Sequence, residues 1–521
     1  MKLLLTLAAC LTLVAAAPPG QANDLAAKSK RGKELMAAGR FEEAIPIYRE
    51  LVKALPDSPG PLMDLGLALH MAGHEREAVT QFQMVLRLKP SDMPAHLFLG
   101  AAYLGLKNPE RAVEPLRSVV RRQPENRDGR LLLGDAFLSL GRYGPSAEQF
   151  QKLTQLDGES PKAWNGLGLS YEGLARNNFE QLEKLAPDSA YWLVLLAESH
   201  AKGDEYKGAF YFYREALKKM PGLRGVHAAL ADIYRKTDHS SWAEIENQKE
   251  ASLPLLDCGT ADAVVSQSAN SIPFLRPDGQ QDRTLNLECD FWAGRFQGLI
   301  SASHGENTVE AYYWRTRAYN ELAKQAFSRL AQLPPSAEVH ELLAKIQYNH
   351  RKYTEAAKEW KEALKFSQDS SFYRQGYAIS LSAAGDYENA LPLLEVLIKE
   401  SPDSEDLNYW LGYSLLGLER ATEATPFLER AVQIDPNALE PHRDLARAYL
   451  RVGQIEKALP HARAASPIDV DGSLYYQLAR AYSKAGQTRA EKEMLEKFRK
   501  SQSSAAAERK RLAEQIQIAP P

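Results

Sequence analysis

Near the end of the chain, six side chains recur at a regular step: Tyr409 with Tyr413, Arg443 with Arg447, and Tyr476 with Arg480. Within each pair the spacing is i, i+4, which places both members on one face of a helix. Between pairs the steps are 34 and 33 residues. If each pair sits on the equivalent helix of a repeat, with neighbouring helices about 8–10 Å apart, the six form one aromatic and cationic patch. Guanidinium forks suit carboxylates bidentately, and tyrosine rings add stacking area with a hydroxyl at the edge. This is the chemistry of capture, with an acidic segment or carboxylate of a partner protein as the fitting ligand. A competing reading pairs Arg443 and Arg447 with Glu440 or Asp444 on a solvated face.

Chemistry that makes or breaks bonds finds no support. The sequence has no Gly-x-Ser-x-Gly elbow, His-Glu-x-x-His pair, Walker loop or Gly-x-Gly-x-x-Gly fingerprint. The run from Gly412 to Gly417 falls on a helical pattern with the wrong spacing for a nucleophile. The 11 histidines are scattered, and His96, His227 and His442 share one repeat position with Trp164, which points to packing. Acidic residues such as Glu42, Glu43, Glu75 and Glu77 stand at helix starts, where they complement the dipole. No catalytic residue, metal ligand or cofactor is assigned, and no small-molecule substrate is expected. An enzyme would need its site within 255–288, which holds Cys258 and several aspartates but no histidine.

The elements that must carry the patch follow from a 34-residue period. Ala44, Ala78 and Ala112 are in phase; Tyr48, Phe82 and Leu116 lie four residues beyond them, and Pro56, Pro90 and Pro124 twelve beyond. Gly32, Gly66 and Gly100 precede the alanines by twelve. Each unit reads as a helical hairpin. A glycine lets helix A approach helix B, a large side chain fills the space beside it, and proline ends helix B. Ala209, Ala243, Ala356, Ala390, Ala424 and Ala458 keep the step within each half.

These positions resemble the tetratricopeptide repeat (TPR) over nearly all of 25–500, with good copies from Trp164, Leu407 and Asp444. The resemblance implies an all-α, right-handed superhelical solenoid of about 11–12 hairpins. It further implies non-catalytic protein binding on a concave groove lined by the A helices. Met63, Leu67, Leu97 and Leu131 would form a second, apolar part of that groove, for an amphipathic helix or strand of a client, or else be buried by the groove itself. The carboxylate-clamp subset of the family is not matched: the corresponding positions hold Ser29 and Lys33, Met63 and Leu67, and Leu97 and Ala101.

Two departures bear on architecture. Tyr171 and Ala175 are four residues apart where the pattern has nine, so the intervening turn is missing and one continuous helix is expected from about Lys162 to Leu185. The abbreviated unit returns at Tyr319, offset by 148, and a stretch of roughly 65 residues is read as duplicated. Between the arrays, 255–288 carries Gly, Pro, Ser, Asn and Asp turn chemistry and no helical period. Cys258 and Cys289 bracket it and are expected to pair as a disulfide; zinc is disfavoured because no His or Cys neighbours them at ligand spacing.

Composition sets the remaining bounds. The 521 residues carry 64 Lys+Arg against 67 Asp+Glu, a balance that argues against nucleic acid as a partner. Lys2 followed by an apolar run from Leu3 to Ala17 and the small-x-small Gly20-Gln21-Ala22 reads as a signal peptide cut before Asn23. The alternative is a lipobox ending at Cys10. No other apolar stretch is long enough to span a bilayer. The expected organisation is a signal peptide over 1–22, an N-terminal array over 23–254, an irregular insertion and helix over 255–308, a C-terminal array over 309–500, and a capping helix and tail over 501–521. The expected role is a scaffold for a protein or peptide partner, exported to the periplasm or secreted. The alternative is an envelope assembly factor or carrier recognising polysaccharide or lipidated clients, for which the tyrosine ladder is the only support.

Overall fold

The computed structural model describes residues 19–256, 258, 283–469, 471–503 and 517–521, and among these every regular element is a helix. Most of the leader with Cys10, all but Cys258 of the stretch 257–282, and residues 504–516 of the tail lie outside the described residues.

The chain forms two compact units. Among the described residues, unit 1 comprises 19–176 and Tyr319–Arg329, and unit 2 comprises those of 177–318 and 330–521. Four hairpins build unit 1: α1 (Pro19–Ala37) with α2 (Phe41–Ala54), α3 (Pro59–Met71) with α4 (Glu75–Leu88), α5 (Met93–Gly105) with α6 (Pro109–Arg122), and α7 (Arg127–Ser139) with α8 (Tyr143–Leu156). The long helix α9 (Pro161–Leu185) follows. In unit 2, α10 (Ala190–Lys202) pairs with α11 (Tyr206–Lys219), and α12 (Val226–Lys236) with α13 (Ser240–Ala251). The short α14 (Arg283–Trp292) and α15 (Phe296–Ala302) precede a second long helix, α16 (Val309–Ala331). Then come α17 (Ala337–Asn349) with α18 (Tyr353–Phe366), α19 (Ser371–Ala383) with α20 (Tyr387–Glu400), and α21 (Glu405–Gly417) with α22 (Ala421–Ile434). The last pairs are α23 (Leu439–Arg451) with α24 (Ile455–Ala464), and α25 (Ser473–Lys484) with α26 (Thr488–Gln502). That makes eleven hairpins, the short pair α14 and α15, and two long single helices among the described residues.

The repeat positions do the packing assigned to them. A Cβ on Gly66 would lie 2.6 Å from the Phe82 ring, and one on Gly100 would lie 2.4 Å from Leu116 Cγ. Only glycine leaves room for the side chain sixteen residues on. Ala44, Ala78 and Ala112 are fully buried beside these rings in the unit 1 core. Unit 2 holds two further cores, one over 182–318 and one over 357–494.

The position shared by His96, Trp164 and His442 has a hydrogen-bonding job as well as a packing one. His96 Nε2 meets Pro90 O at 3.0 Å, Trp164 Nε1 donates to Gly158 O at 2.8 Å, and His442 Nε2 meets Pro436 O at 3.0 Å. Arg130 and Asn408, in the same register, donate to Pro124 O and Pro402 O. In each case a side chain satisfies the carbonyl six residues back and ties down the entry to helix A. The same position also reaches helix B nineteen residues on, as in Arg130 to Gln149, His340 to Glu359 and His442 to His461.

Removing the turn fuses two helices, as α9 and α16 demonstrate. Tyr171 and Tyr319 occupy equivalent positions of the two abbreviated segments, and their rings stack at 6.1 Å in unit 1. Beside them a Cβ on Gly168 would come within 2.3 Å of Phe327, and Arg329 lies over the Trp164 ring at 5.8 Å. Cys258 and Cys289 are disulfide-bonded, with Cα atoms 5.6 Å apart and a sequence separation of 31.

Candidate partner-binding site

Three of the six singled-out residues gather around one carboxylate, and a fourth, Tyr413, packs on one of them. Asp444 on α23 is completely buried, and its two oxygens are the meeting point. Arg443 donates to it twice, from Nε at 3.1 Å and Nη2 at 2.8 Å. Arg447, one turn on, donates from Nη1 at 3.3 Å. From the preceding A helix, α21, the Tyr409 hydroxyl donates at 3.1 Å. A carboxylate with this many donors, two of them cationic, is held in one orientation.

Solvent reaches the arginines from the other side. Their side chains retain 31% and 45% of their exposure, so each fork has N–H groups directed away from Asp444. Two guanidinium charges set against one carboxylate leave one net positive charge at the surface. The hydrogen bond to Asp444 raises the Arg443 pKa, and burial raises that of Tyr409. Burial also pushes the Tyr413 hydroxyl up to about 12, with a bond to Tyr387 adding to the effect. Both hydroxyls therefore act as neutral groups across the physiological range.

The Tyr413 ring stands in a small aromatic cluster, 5.9 Å from Tyr409, 5.4 Å from Trp410 and 5.9 Å from Tyr387. Tyr476, on α25, is 44% exposed, and its ring packs at 5.2 Å on Phe498 of α26. Arg480 is exposed one turn on. Neither has a hydrogen bond or ring contact to the Asp444 group among the described residues. The patch is thus a tight four-residue group with two outlying side chains on the next A helix.

Sequence reasoning named Asp444 only as an ion-pair partner on a solvated face. In the structure it is the buried centre of the group, and Trp410 and Tyr387 complete the aromatic side. The tyrosine and arginine spacing was a usable signal; the burial of Asp444 had none, because an aspartate beside two arginines reads as surface.

In unit 1, Met63, Leu67 and Leu97 are half-buried against the core, and Leu131 is half-buried on α7. Two aspartates stand among them. Burial pushes Asp64 up to about 6, opposed by Lys33, and Asp135 up to about 6, opposed by Lys162. This face is apolar with weakly acidic points. Among the described residues no group of three or more His, Cys, Asp or Glu could hold a metal ion. No described helix is long and apolar enough to cross a membrane.

Helix-turn-helix hairpins following one another in sequence, with glycine set against a large side chain in several of them and polar side chains closing turns between them, define a helical repeat protein. Two models described as tetratricopeptide repeat match the chain, one at 35–102 and 415–482, the other at 97–161, 131–174, 173–223 and 378–438. Together they cover more than half of it, and the chain belongs to the tetratricopeptide repeat family, whose members are typically non-catalytic mediators of protein–protein interaction. Among curated proteins it is similar to TPR repeat-containing protein YpiA of Bacillus subtilis (strain 168), 28% identical over 123 residues. That match spans 23% of this chain and 29% of the relative, under a third of its length. Among solved structures, residues 41–end of MamA from Desulfovibrio magneticus RS-1 are 29% identical, covering 28% of this chain and 82% of that one, with a TM-score of 0.27. YrrB, titled a TPR protein with an unusual peptide-binding site, is 22% identical, covering 34% and 90%, with a TM-score of 0.29. A tetratricopeptide repeat protein from Parabacteroides merdae ATCC 43184 is 12% identical, covering 69% and 99%, with a TM-score of 0.30.

Proposed function

We propose that this chain is a non-catalytic interaction scaffold of the cell envelope that captures an acidic peptide segment of a protein partner at Arg443 and Arg447. The observation carrying this reading is the pair of half-exposed guanidinium forks fixed on one buried carboxylate. A free arginine loses side-chain entropy when it binds; these two are already oriented, so less is lost when a ligand carboxylate arrives. The Tyr413 ring packs on Tyr409, which shares Asp444 with the forks, and its surface suits the aliphatic stems of Glu-rich sequence. The envelope assignment rests on the leader sequence and on the Cys258–Cys289 bond, which persists in an oxidising compartment.

The alternative client, a polysaccharide or lipidated protein, would use the tyrosine ladder. That ladder is largely committed: Tyr409 is 8% exposed with its hydroxyl spent on Asp444, and Tyr476 packs on Phe498. The acidic-segment reading is therefore preferred. A fluorescent library of Asp/Glu-rich and neutral peptides screened against the intact chain tests it. Acidic binders whose affinity falls with added salt, and falls at least about tenfold in Arg447→Glu, are expected. Binders indifferent to both salt and Arg447→Glu would contradict it.

A further inference from the structure

A second surface, in unit 2 and independent of the arginine pair, already carries a ligand. The segment Gln517–Pro521 has no regular secondary structure, and Ile518 is half-buried against the core that includes Leu230 and Tyr234, as is Trp242. The Tyr234 hydroxyl, on α12, donates to the Ala519 carbonyl at 2.6 Å. This joins residues 285 positions apart.

The repeat register explains why this hydroxyl is available. Tyr103 and Tyr449 occupy the same place on their A helices, three residues after Gly100 and Ala446. Each is engaged by the side chain twenty residues earlier: Gln83 bonds the Tyr103 hydroxyl at 3.0 Å, and Tyr449 donates to Glu429. For Tyr234 the residue twenty earlier is Arg214, a donor with no acceptor atom, whose guanidinium lies 5.9 Å over the Phe210 ring. Gln83 donates to Tyr103 whereas Glu429 accepts from Tyr449, so the arginine at this position offers the Tyr234 proton no acceptor. The Ala519 backbone carbonyl supplies the acceptor. The phenol is itself held rigidly, its ring packed on Phe210 at 5.8 Å and Trp242 at 5.6 Å.

We infer that the α12 face around Tyr234 is a docking site for a short extended segment with an aliphatic residue followed by a small residue and prolines, and that the chain's own Gln517–Pro521 occupies it in cis. The sequence of the segment suits the role. Pro520 and Pro521 have no N–H to leave unsatisfied and favour an extended backbone, which lowers the entropy lost on docking. Ile518 supplies the apolar anchor. A tether of 14 residues, 503–516, links it to α26, so a segment on another molecule must compete against a high local concentration.

The test uses a fluorescent peptide of residues 512–521 titrated against the full chain, a chain lacking 517–521, and full-length Ile518→Asp. The peptide is expected to bind the shortened chain and Ile518→Asp at least tenfold more tightly than the full chain. Adding Tyr234→Phe to Ile518→Asp should weaken binding about fivefold, the worth of one hydrogen bond, and a peptide with Asp in place of Ile518 should not bind. Absence of binding to Ile518→Asp with an unchanged melting profile would overturn the inference, as would equal affinity for all three chains or indifference to the aspartate in the peptide. Arg447→Glu should leave every one of these values unchanged, which separates this site from the arginine pair.

Discussion

At Asp444, stability and binding separate by residue. Asp444 is fully buried and holds two cations and a phenol, so Asp444→Asn removes the charge that both arginines answer. Breaking one partner of such a buried group costs about 3–5 kcal/mol, and chemical denaturation should show a loss approaching that range. Arg447 is 45% exposed, so Arg447→Ala should cost under about 1 kcal/mol while removing capture of acidic peptides. Equal destabilisation by the two substitutions would contradict this division. In unit 1, Asp64 and Asp135 have folded pKa values of about 6, raised by burial above the ordinary carboxyl value. Their contribution is fully present at acid pH below the unfolded value and is lost as the pH rises through about 6. Unit 1 should therefore be more stable at about pH 5 than at pH 7.5, by roughly 1 kcal/mol per group once partial solvation is allowed for. Asp64→Asn with Asp135→Asn should stabilise it at neutral pH and flatten the profile; a loss of stability at pH 7.5 in that pair would refute the assignment.

Among the elements, the hairpins were legible because their signals are local and repeated. The glycine-to-aromatic spacing demands close A–B packing, and Gly100→Ala, which would thrust a Cβ to 2.4 Å from Leu116, should destabilise unit 1 by about 1–3 kcal/mol in a thermal melt. The expected helix from Lys162 to Leu185 is α9, Pro161–Leu185, because deleting a turn leaves nothing to end the ladder of hydrogen bonds. The histidines were less legible. Their position suggested packing, but the hydrogen bond to the carbonyl six residues back emerges only once the turn geometry is known. The pair His442–His461 has a further consequence. Burial, and then the neighbouring imidazole, lowers the His461 pKa, so the fold favours the neutral ring. The associated stability is present above the ordinary imidazole pKa and is lost as the pH falls through the lowered value. Unit 2 should weaken in mild acid and His461→Gln should remove that slope, as read by hydrogen exchange on α23 and α24. An unchanged slope in His461→Gln would place its cause elsewhere.

Over the whole molecule, two units with their own cores carry distinct responses. The Cys258–Cys289 bond lies within unit 2 and closes a loop of 31 residues, for which chain entropy gives about 4 kcal/mol. Reduction should lower the transition reported by unit 2 amides and spare those around Leu69 and Phe82 in unit 1. The repeat architecture was readable from period alone, whereas the Gln517–Pro521 contact was not, since nothing periodic connects a tail to a helix 285 residues away. The four-residue group around Asp444 lies between these cases: spacing brought its members together, and burial determined what they do. The central claim is that this group captures an acidic protein segment. Its most direct test is an in-cell photo-crosslink from a benzophenone amino acid at Tyr476, the exposed aromatic on the neighbouring A helix, compared with and without Arg447→Glu. A dominant protein adduct that maps to an Asp/Glu-rich segment and disappears with Arg447→Glu is the predicted result. An adduct that survives Arg447→Glu undiminished, or one formed only with glycan, would contradict it.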